Sequence, residues 1–190
     1  MGRAKEVLSK RDIFRAIIMI FVTVGTHEQP FDRLIVKVDQ LKGLEKIKDT
    51  VFIQTGYSLY KPQNCEYSQF LKFREIMDFI KKASIIITHG GPGSIFPIFY
   101  YQKVPIVVPR MKRYGEHVDD HQVYFCKRLE RDKRIIPIYD IEDLEKAIFN
   151  YYEWVKLLRK ETDSETASKI CHFARSLDEI CNKMIKRIEK

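Results

Sequence analysis

The chain has 190 residues, of which 45% are hydrophobic, 12% aromatic and 32% charged. That length suits one domain of about 100–200 residues with a buried core, and the composition excludes a disordered or low-complexity chain. No apolar run reaches the ~18–20 residues of a membrane-spanning helix. The net charge of +8 favours an anionic partner without choosing among nucleic acid, an acidic membrane face and a phosphorylated small molecule.

In chain order, Arg3, Lys5, Lys10, Arg11 and Arg15 precede an apolar run from Ala16 to Val22. This superficially resembles a signal peptide. No small-residue cleavage pattern follows, however, and the run leads into Thr23-Val-Gly-Thr26 as a buried strand leads into its turn. We read residues 1–18 as a basic extension, with Met19 able to serve as a chain start, and Ile17–Val24 as the first strand. Phe31, Leu34, Ile35, Val38 and Leu41 then recur at helical spacing, with Pro30 placed to open the helix. Val51–Gly56 reads as a second strand and Cys65–Tyr67 as a short third. Ile76, Phe79 and Ile80 mark a helix ending near Ala83. Ser84–Thr88 is the clearest strand, followed by a glycine turn and a short aromatic helix. Val104–Pro109 forms another strand, Asp120–Arg131 a helix and Ile135–Tyr139 a last strand, with Asp140 as N-cap of the next helix. In residues 151–190, Ile170, Phe173, Leu177, Ile180, Met184 and Ile188 keep helical spacing with no strand between them. That segment is expected to close on the sheet or to be offered to a partner chain.

Strands that are hydrophobic throughout, rather than alternating, belong to a parallel sheet buried on both faces. The βαβα order therefore predicts an open, doubly wound α/β sheet of Rossmann type. The expected division is a basic extension (1–18), a Rossmann-like domain (19–150) and a helical segment (151–190). Cys65, Cys126, Cys171 and Cys181 show neither a CxxC pair nor metal spacing, so they are expected as free thiols in a reducing cytosol.

In such sheets ligands sit outside the carboxyl ends of the strands. The segments falling there are Gly25-Thr-His-Glu-Gln29, Gln54-Thr-Gly56, His89-Gly-Gly-Pro-Gly-Ser94 and Arg110 to Gln122, and they hold four of the five histidines, His27, His89, His117 and His121. The Gly90–Ser94 turn opens a helix, where free N–H groups and the positive dipole end hold phosphate oxygens. Taken alone, the turn is equally a tight strand-to-helix connection. Arg110, Lys112 and Arg113 after the next strand shift the reading toward a bound phosphate or diphosphate. The spacing fits neither GxGxxG nor GxxxxGK[ST]. His117, Asp119, Asp120 and His121 are nearly contiguous and lack any HExxH companion, so no metal is expected there. No GxSxG elbow marks a serine hydrolase, and the dispersed basic residues carry no nucleic-acid-binding pattern.

Phe21–Leu34 (FVTVGTHEQPFDRL), Ile53–Gly56, Ile87–Ser94 (ITHGGPGS), Pro105–Arg110 and Tyr114–Gln122 (YGEHVDDHQ) together resemble the glycosyltransferase family 28 C-terminal domain. Within it, the resemblance is to the short subunits of two-part bacterial capsular and exopolysaccharide β-1,4-galactosyltransferases. The donor-binding subunit of the eukaryotic dolichol-linked GlcNAc transferase is a more distant relative. The resemblance covers roughly residues 19–150 and implies one half of a GT-B fold that binds a UDP-sugar. It implies that His89, Gly90, Gly91, Gly93 and Ser94 hold the diphosphate, with Gly25 and Thr26 on its other side and His27, Gln54, Gly56 and Arg110 nearby. Glu116 to Gln122, including Asp120, His121 and Gln122, would reach the donor sugar and ribose. Larger relatives carry a ribose-binding Glu on the helix after the turn. Here Ser94–Tyr101 contains no acid, so that contact falls to Glu116 or Asp120.

The implied reaction is an inverting, metal-independent transfer of a hexose, galactose foremost, to a lipid-linked saccharide. No cofactor is expected beyond the donor substrate. The base is sought among Glu116, His117, His27 and His89, with Glu116 and His117 favoured, or on the partner. A complete GT-B enzyme needs two such domains, so a membrane-anchored partner subunit is expected to supply the acceptor half. It would hold the chain at the cytoplasmic face of an anionic membrane. The rival expectations are a noncatalytic donor-binding or activating subunit of a partner transferase, or a GlcNAc transferase subunit. The transferase reading requires that Phe96 and Tyr100 leave the corner near Gly91 open.

Overall fold

The computed structural model describes residues 19–161, so the basic extension and the apolar positions from Ile170 to Ile188 lie outside the described residues. The strands are β1 (Met19–Thr23), β2 (Thr50–Gln54), β3 (Glu66–Ser68), β4 (Ile85–His89), β5 (Ile106–Val108) and β6 (Ile136–Pro137). They form one sheet in the order β3-β2-β1-β4-β5-β6, and every pairing is parallel. The helices are α1 (Asp32–Gly43), α2 (Phe73–Lys82), α3 (Pro92–Tyr100), α4 (His121–Arg131), α5 (Leu144–Phe149) and α6 (Tyr151–Glu161). This is the doubly wound Rossmann-like sheet that the unbroken apolar strands predict.

Alternate residues of the central strands feed opposite cores. Ile20 and Val22 of β1 join Leu34, Ile35 and Val38 of α1 and Leu144, Ala147, Tyr151 and Val155 of α5 and α6. Phe21 and Ile86 face the other way, against Ile80 of α2 and Ile98 of α3. Beside them Val107 packs with Ile95, Phe99, Cys126 and Leu129 of α3 and α4. The start of the C-terminal segment therefore closes on the sheet, and the Tyr151 hydroxyl donates to Val104 O at 2.7 Å.

The elements differ from expectation at their edges. Helix α1 opens at Asp32, because Phe31 takes a non-helical conformation and its N–H donates to Ser58 Oγ. Strand β6 keeps only Ile136 and Pro137; the Pro137 ring carries no N–H with which to extend a ladder. Asp140 caps the 3-10 turn Ile141–Asp143, its carboxylate accepting from Glu142 N. Cys65 and Cys126 are free thiols, half-buried and buried; Cys171 and Cys181 lie outside the described residues.

Two aspartates of α1 fix the loop that leads into β3. Asp32 Oδ1 accepts from Leu59 N and Tyr60 N, while buried Asp39 accepts from the Tyr60 hydroxyl, Gln63 N and Asn64 N. The strand order reverses between β1 and β4. The connections leaving their carboxyl ends diverge there to opposite sides of the sheet, which opens a crevice.

Candidate functional site

A cavity of about 530 Å³ occupies that crevice. Its polar wall comes from the β1, β2, β4 and β5 loops and helix α4: Thr23, Gly25, Thr26, His27, Gln54, His89, Gly93, Ser94, His117 and Gln122. Its apolar wall is Phe73, Ile76 and Ile80 of α2 with Pro97 of α3. Phe96 and Tyr100 do not line it; the Phe96 ring meets Phe99 and Phe125 instead. The cavity reaches the start of α3 at Gly93 and Ser94.

His89 organises the polar wall. It is buried, and burial, helped by the Arg110 charge, pushes its imidazole down to about 3. The ring is therefore neutral. Its Nδ1 accepts from Gly91 N at 3.1 Å, which leaves the proton on Nε2 to donate to Ser94 Oγ at 2.9 Å. Ser94 keeps its own hydroxyl proton for an acceptor in the cavity.

The glycines divide into two groups. A Cβ on Gly25 (φ +75°) would lie 2.5 Å from His89 Nε2, and one on Gly91 2.2 Å from His89 Cε1. These two glycines make room for the imidazole. A Cβ on Gly56 would strike Gly25 O at 2.5 Å, and one on Gly90 would strike Gln122 Cβ at 2.9 Å, where α4 crosses β4. Of these loop glycines, Gly93 alone faces open space. The diphosphate cradle expected from the whole turn is thus narrower. The Gly91 N–H is taken by His89, Pro92 has none, and Ser94 N and Ile95 N bond to Gly91 O. The Gly93 N–H remains, at the positive end of α3 beside the Ser94 hydroxyl.

Gln54 is 1% exposed. The Thr23 hydroxyl donates to its Oε1 at 2.5 Å and accepts from Gly25 N at 3.2 Å. This sets the amide orientation and leaves Gln54 Nε2 as a buried donor with no partner. Gln122 Oε1 accepts from Arg110 N at 3.2 Å.

Arg110 and Glu116 point away from the cavity. Arg110 is 0% exposed. Its guanidinium donates to Gln29 O, Glu116 O and Val24 O at 2.6, 3.0 and 2.9 Å and lies over the Phe31 ring. It is a strut between loops, not a phosphate ligand. Glu116 accepts both Arg33 Nε at 2.8 Å and Arg33 Nη2 at 2.9 Å, and Met111 N at 3.0 Å. A buried carboxylate so occupied cannot serve as the expected base. Asp120 Oδ1 accepts from Lys112 N, and His121 is exposed and bonded to Asp119.

His27 and His117 are stacked, with ring centroids 4.4 Å apart. Burial, followed by the neighbouring His27 and His121 rings, holds the His117 imidazole below its ordinary value, while Asp119 opposes the shift. His27 Nε2 pairs with Gln29 Oε1 at 2.9 Å. The sequence reading assigned no role to Arg33, Thr23 or the apolar wall. Arg33 and Thr23 stand within the FVTVGTHEQPFDRL motif, so proximity to it was their one signal. The wall had no signal beyond the helical spacing of Ile76 and Ile80.

The strand order and this crevice define a Rossmann-like domain that offers hydrogen-bond donors beside an apolar ledge at the topological switch point. The chain belongs to the glycosyltransferase family 28 C-terminal domain family, which it matches over residues 19–176. No curated protein is significantly similar in sequence. Among solved structures, the glycotransferase of kitacinnamycin superposes with a TM-score of 0.55 at 16% identity, over 94% of this chain and 46% of its own. MurG of Acinetobacter baumannii gives a TM-score of 0.51 at 13% identity, over 86% of this chain and 50% of its own. The chain therefore spans about half the length of these structures, whose likeness is one of fold.

Proposed function

We propose that the chain is the donor-binding half of an inverting hexosyltransferase, using a UDP-sugar, with galactose the first choice, and forming a β-1,4 linkage on a lipid-linked saccharide in capsular or exopolysaccharide synthesis. What carries the reading is the bipartite cavity at the switch point. Its donors suit a diphosphate and sugar, and its apolar ledge of Phe73, Ile76, Ile80 and Pro97 suits a planar base. The diphosphate would take the Gly93 N–H and the Ser94 hydroxyl at the start of α3. The unpartnered Gln54 Nε2 would donate to a donor oxygen, with Gln122 at the sugar. We assign the acceptor half to a membrane-anchored partner, which holds the chain at the cytoplasmic face.

In the transfer, the acceptor hydroxyl attacks the anomeric carbon while the bond to the diphosphate breaks. The leaving charge is stabilised by fixed N–H and O–H donors. The hydroxyl proton goes to His27, whose ring is stacked on His117. Gln29 Oε1 accepts from His27 Nε2, which leaves the His27 Nδ1 lone pair to take the proton.

The test has two stages. UDP should raise the melting temperature of the isolated chain, since a ligand at a hundredfold its Kd adds about 2.7 kcal/mol; no shift refutes the donor site. The chain co-expressed with its partner is then screened with labelled UDP-sugars. Unchanged turnover in a His27→Ala/His117→Ala variant would move the base to the partner and favour the noncatalytic subunit.

A further inference from the structure

The loop between β5 and α4 brings together three groups that the proposed transfer does not use as a set. Its ends are pinned, Glu116 by Arg33 and Met111 N and Gln122 by Arg110 N. Between these pins, His117, Asp119 and His121 each place one ligand atom within 4.8 Å of the others. We propose that these three residues bind a divalent transition metal of the zinc class at the rim of the cavity.

Two imidazoles and a carboxylate form a donor set suited to Zn²⁺, which takes N and O ligands tetrahedrally. Ligands at ~2.0–2.1 Å from a tetrahedral zinc stand about 3.4 Å from one another. Asp119 Oδ1 is 3.3 Å from His117 Nδ1, already at that separation. His121 Nδ1 is hydrogen-bonded to the same oxygen. Both of those side chains are more than half exposed, at 51% and 58%, so widening that contact by about an ångström needs only a surface rotamer adjustment. His117 is fixed more firmly, with its side chain 11% exposed and its ring stacked on His27. The near-contiguity that speaks against a metal in the sequence is overcome within residues 117–121 themselves: His121 N donates to Asp119 Oδ1 and Asp119 N to His117 Nδ1, the latter a contact that a metal at Nδ1 would replace. Three protein ligands leave a fourth position open. Because His117 also lines the cavity, that position borders it and suits an oxyanion.

The site is tested without nucleotide or turnover. The full chain, freed of metal by chelation, is titrated with Zn²⁺ by calorimetry and with Co²⁺ by visible absorption. The expected result is one Zn²⁺ per chain, weakened at least tenfold in Asp119→Asn and in His121→Ala. Co²⁺ should give ligand-field bands without thiolate charge transfer. Both variants alter exposed side chains, and their melting temperatures without metal should match the wild type. Zn²⁺ binding that is absent, that survives both substitutions, or that shows the thiolate band overturns the proposal.

Discussion

Acidification reports directly on the buried His89. The folded chain refuses a proton at this ring down to about pH 3, whereas the unfolded chain accepts one below the ordinary value of ~6.5. With the folded value depressed, the unfolded state binds more protons between these limits, so stability falls as pH falls through that window. At pH 5 the linkage for this group amounts to about 2 kcal/mol, against less than ~0.1 at pH 7.5. For a domain of this size that is a drop of roughly 4–8 °C in melting temperature. Other groups also titrate, including His117 with its lowered value, so the informative quantity is a difference. His89→Gln keeps an acceptor for Gly91 N and a donor for Ser94 but removes the proton site. Melting curves of both proteins from pH 7.5 to 5 should show the wild type losing about 2 kcal/mol more than the variant. Parallel loss in the two proteins, or a His89 resonance that titrates near 6.5, would refute the account of a neutral ring held by Gly91 and Ser94.

The other predictions follow from the same contacts. Gly93→Ala points its Cβ into open space and should leave melting unchanged within ~0.5 kcal/mol while weakening UDP about tenfold in a thermal-shift titration. Gly25→Ala, at φ +75° and against His89 Nε2, should instead cost about 2–4 kcal/mol in urea unfolding. Arg110→Met strands the carbonyls of Val24, Gln29 and Glu116 and should cost about 3–5 kcal/mol by the same measurement. Glu116→Gln breaks the bidentate contact with Arg33, leaving a half-buried guanidinium. It should destabilise by about 2–4 kcal/mol, and a double-mutant cycle with Arg33→Met should recover most of that loss.

The sheet was readable from the sequence because burial on both faces writes itself as uninterrupted apolar runs, as at Ile85 to Thr88. The short β3 was found only to within a residue, since its Glu66 and Tyr67 are exposed and carry little hydrophobic signal. The positions of the polar loops at one sheet edge were equally readable, because topology alone sends them there. What each residue does in those loops was not. Glycine spacing says that a Cβ is excluded but not by what, so His89 as the occupant beside Gly25 and Gly91 was hidden. Charge type suggested that Arg110 faces ligand, and the family resemblance suggested it of Glu116. Their burial depends on Arg33, Val24 and Gln29, which lie 76 or more residues away in the chain. Convergence of His117, Asp119 and His121 likewise depends on local bonds that residue type does not announce, Asp119 N to His117 Nδ1 and His121 N to Asp119 Oδ1.

The Arg110 guanidinium bonds to the segment after β1 and to the segment after β5 at once. Those two borders of the crevice are thereby tied into a single mechanical body. Thermal fluctuation moves them together, and little configurational freedom is left for a guest to freeze out when it arrives. Amide hydrogen exchange at Thr26–Phe31 and at Met111–His117 should accordingly occur as one cooperative opening, with matched protection in both stretches.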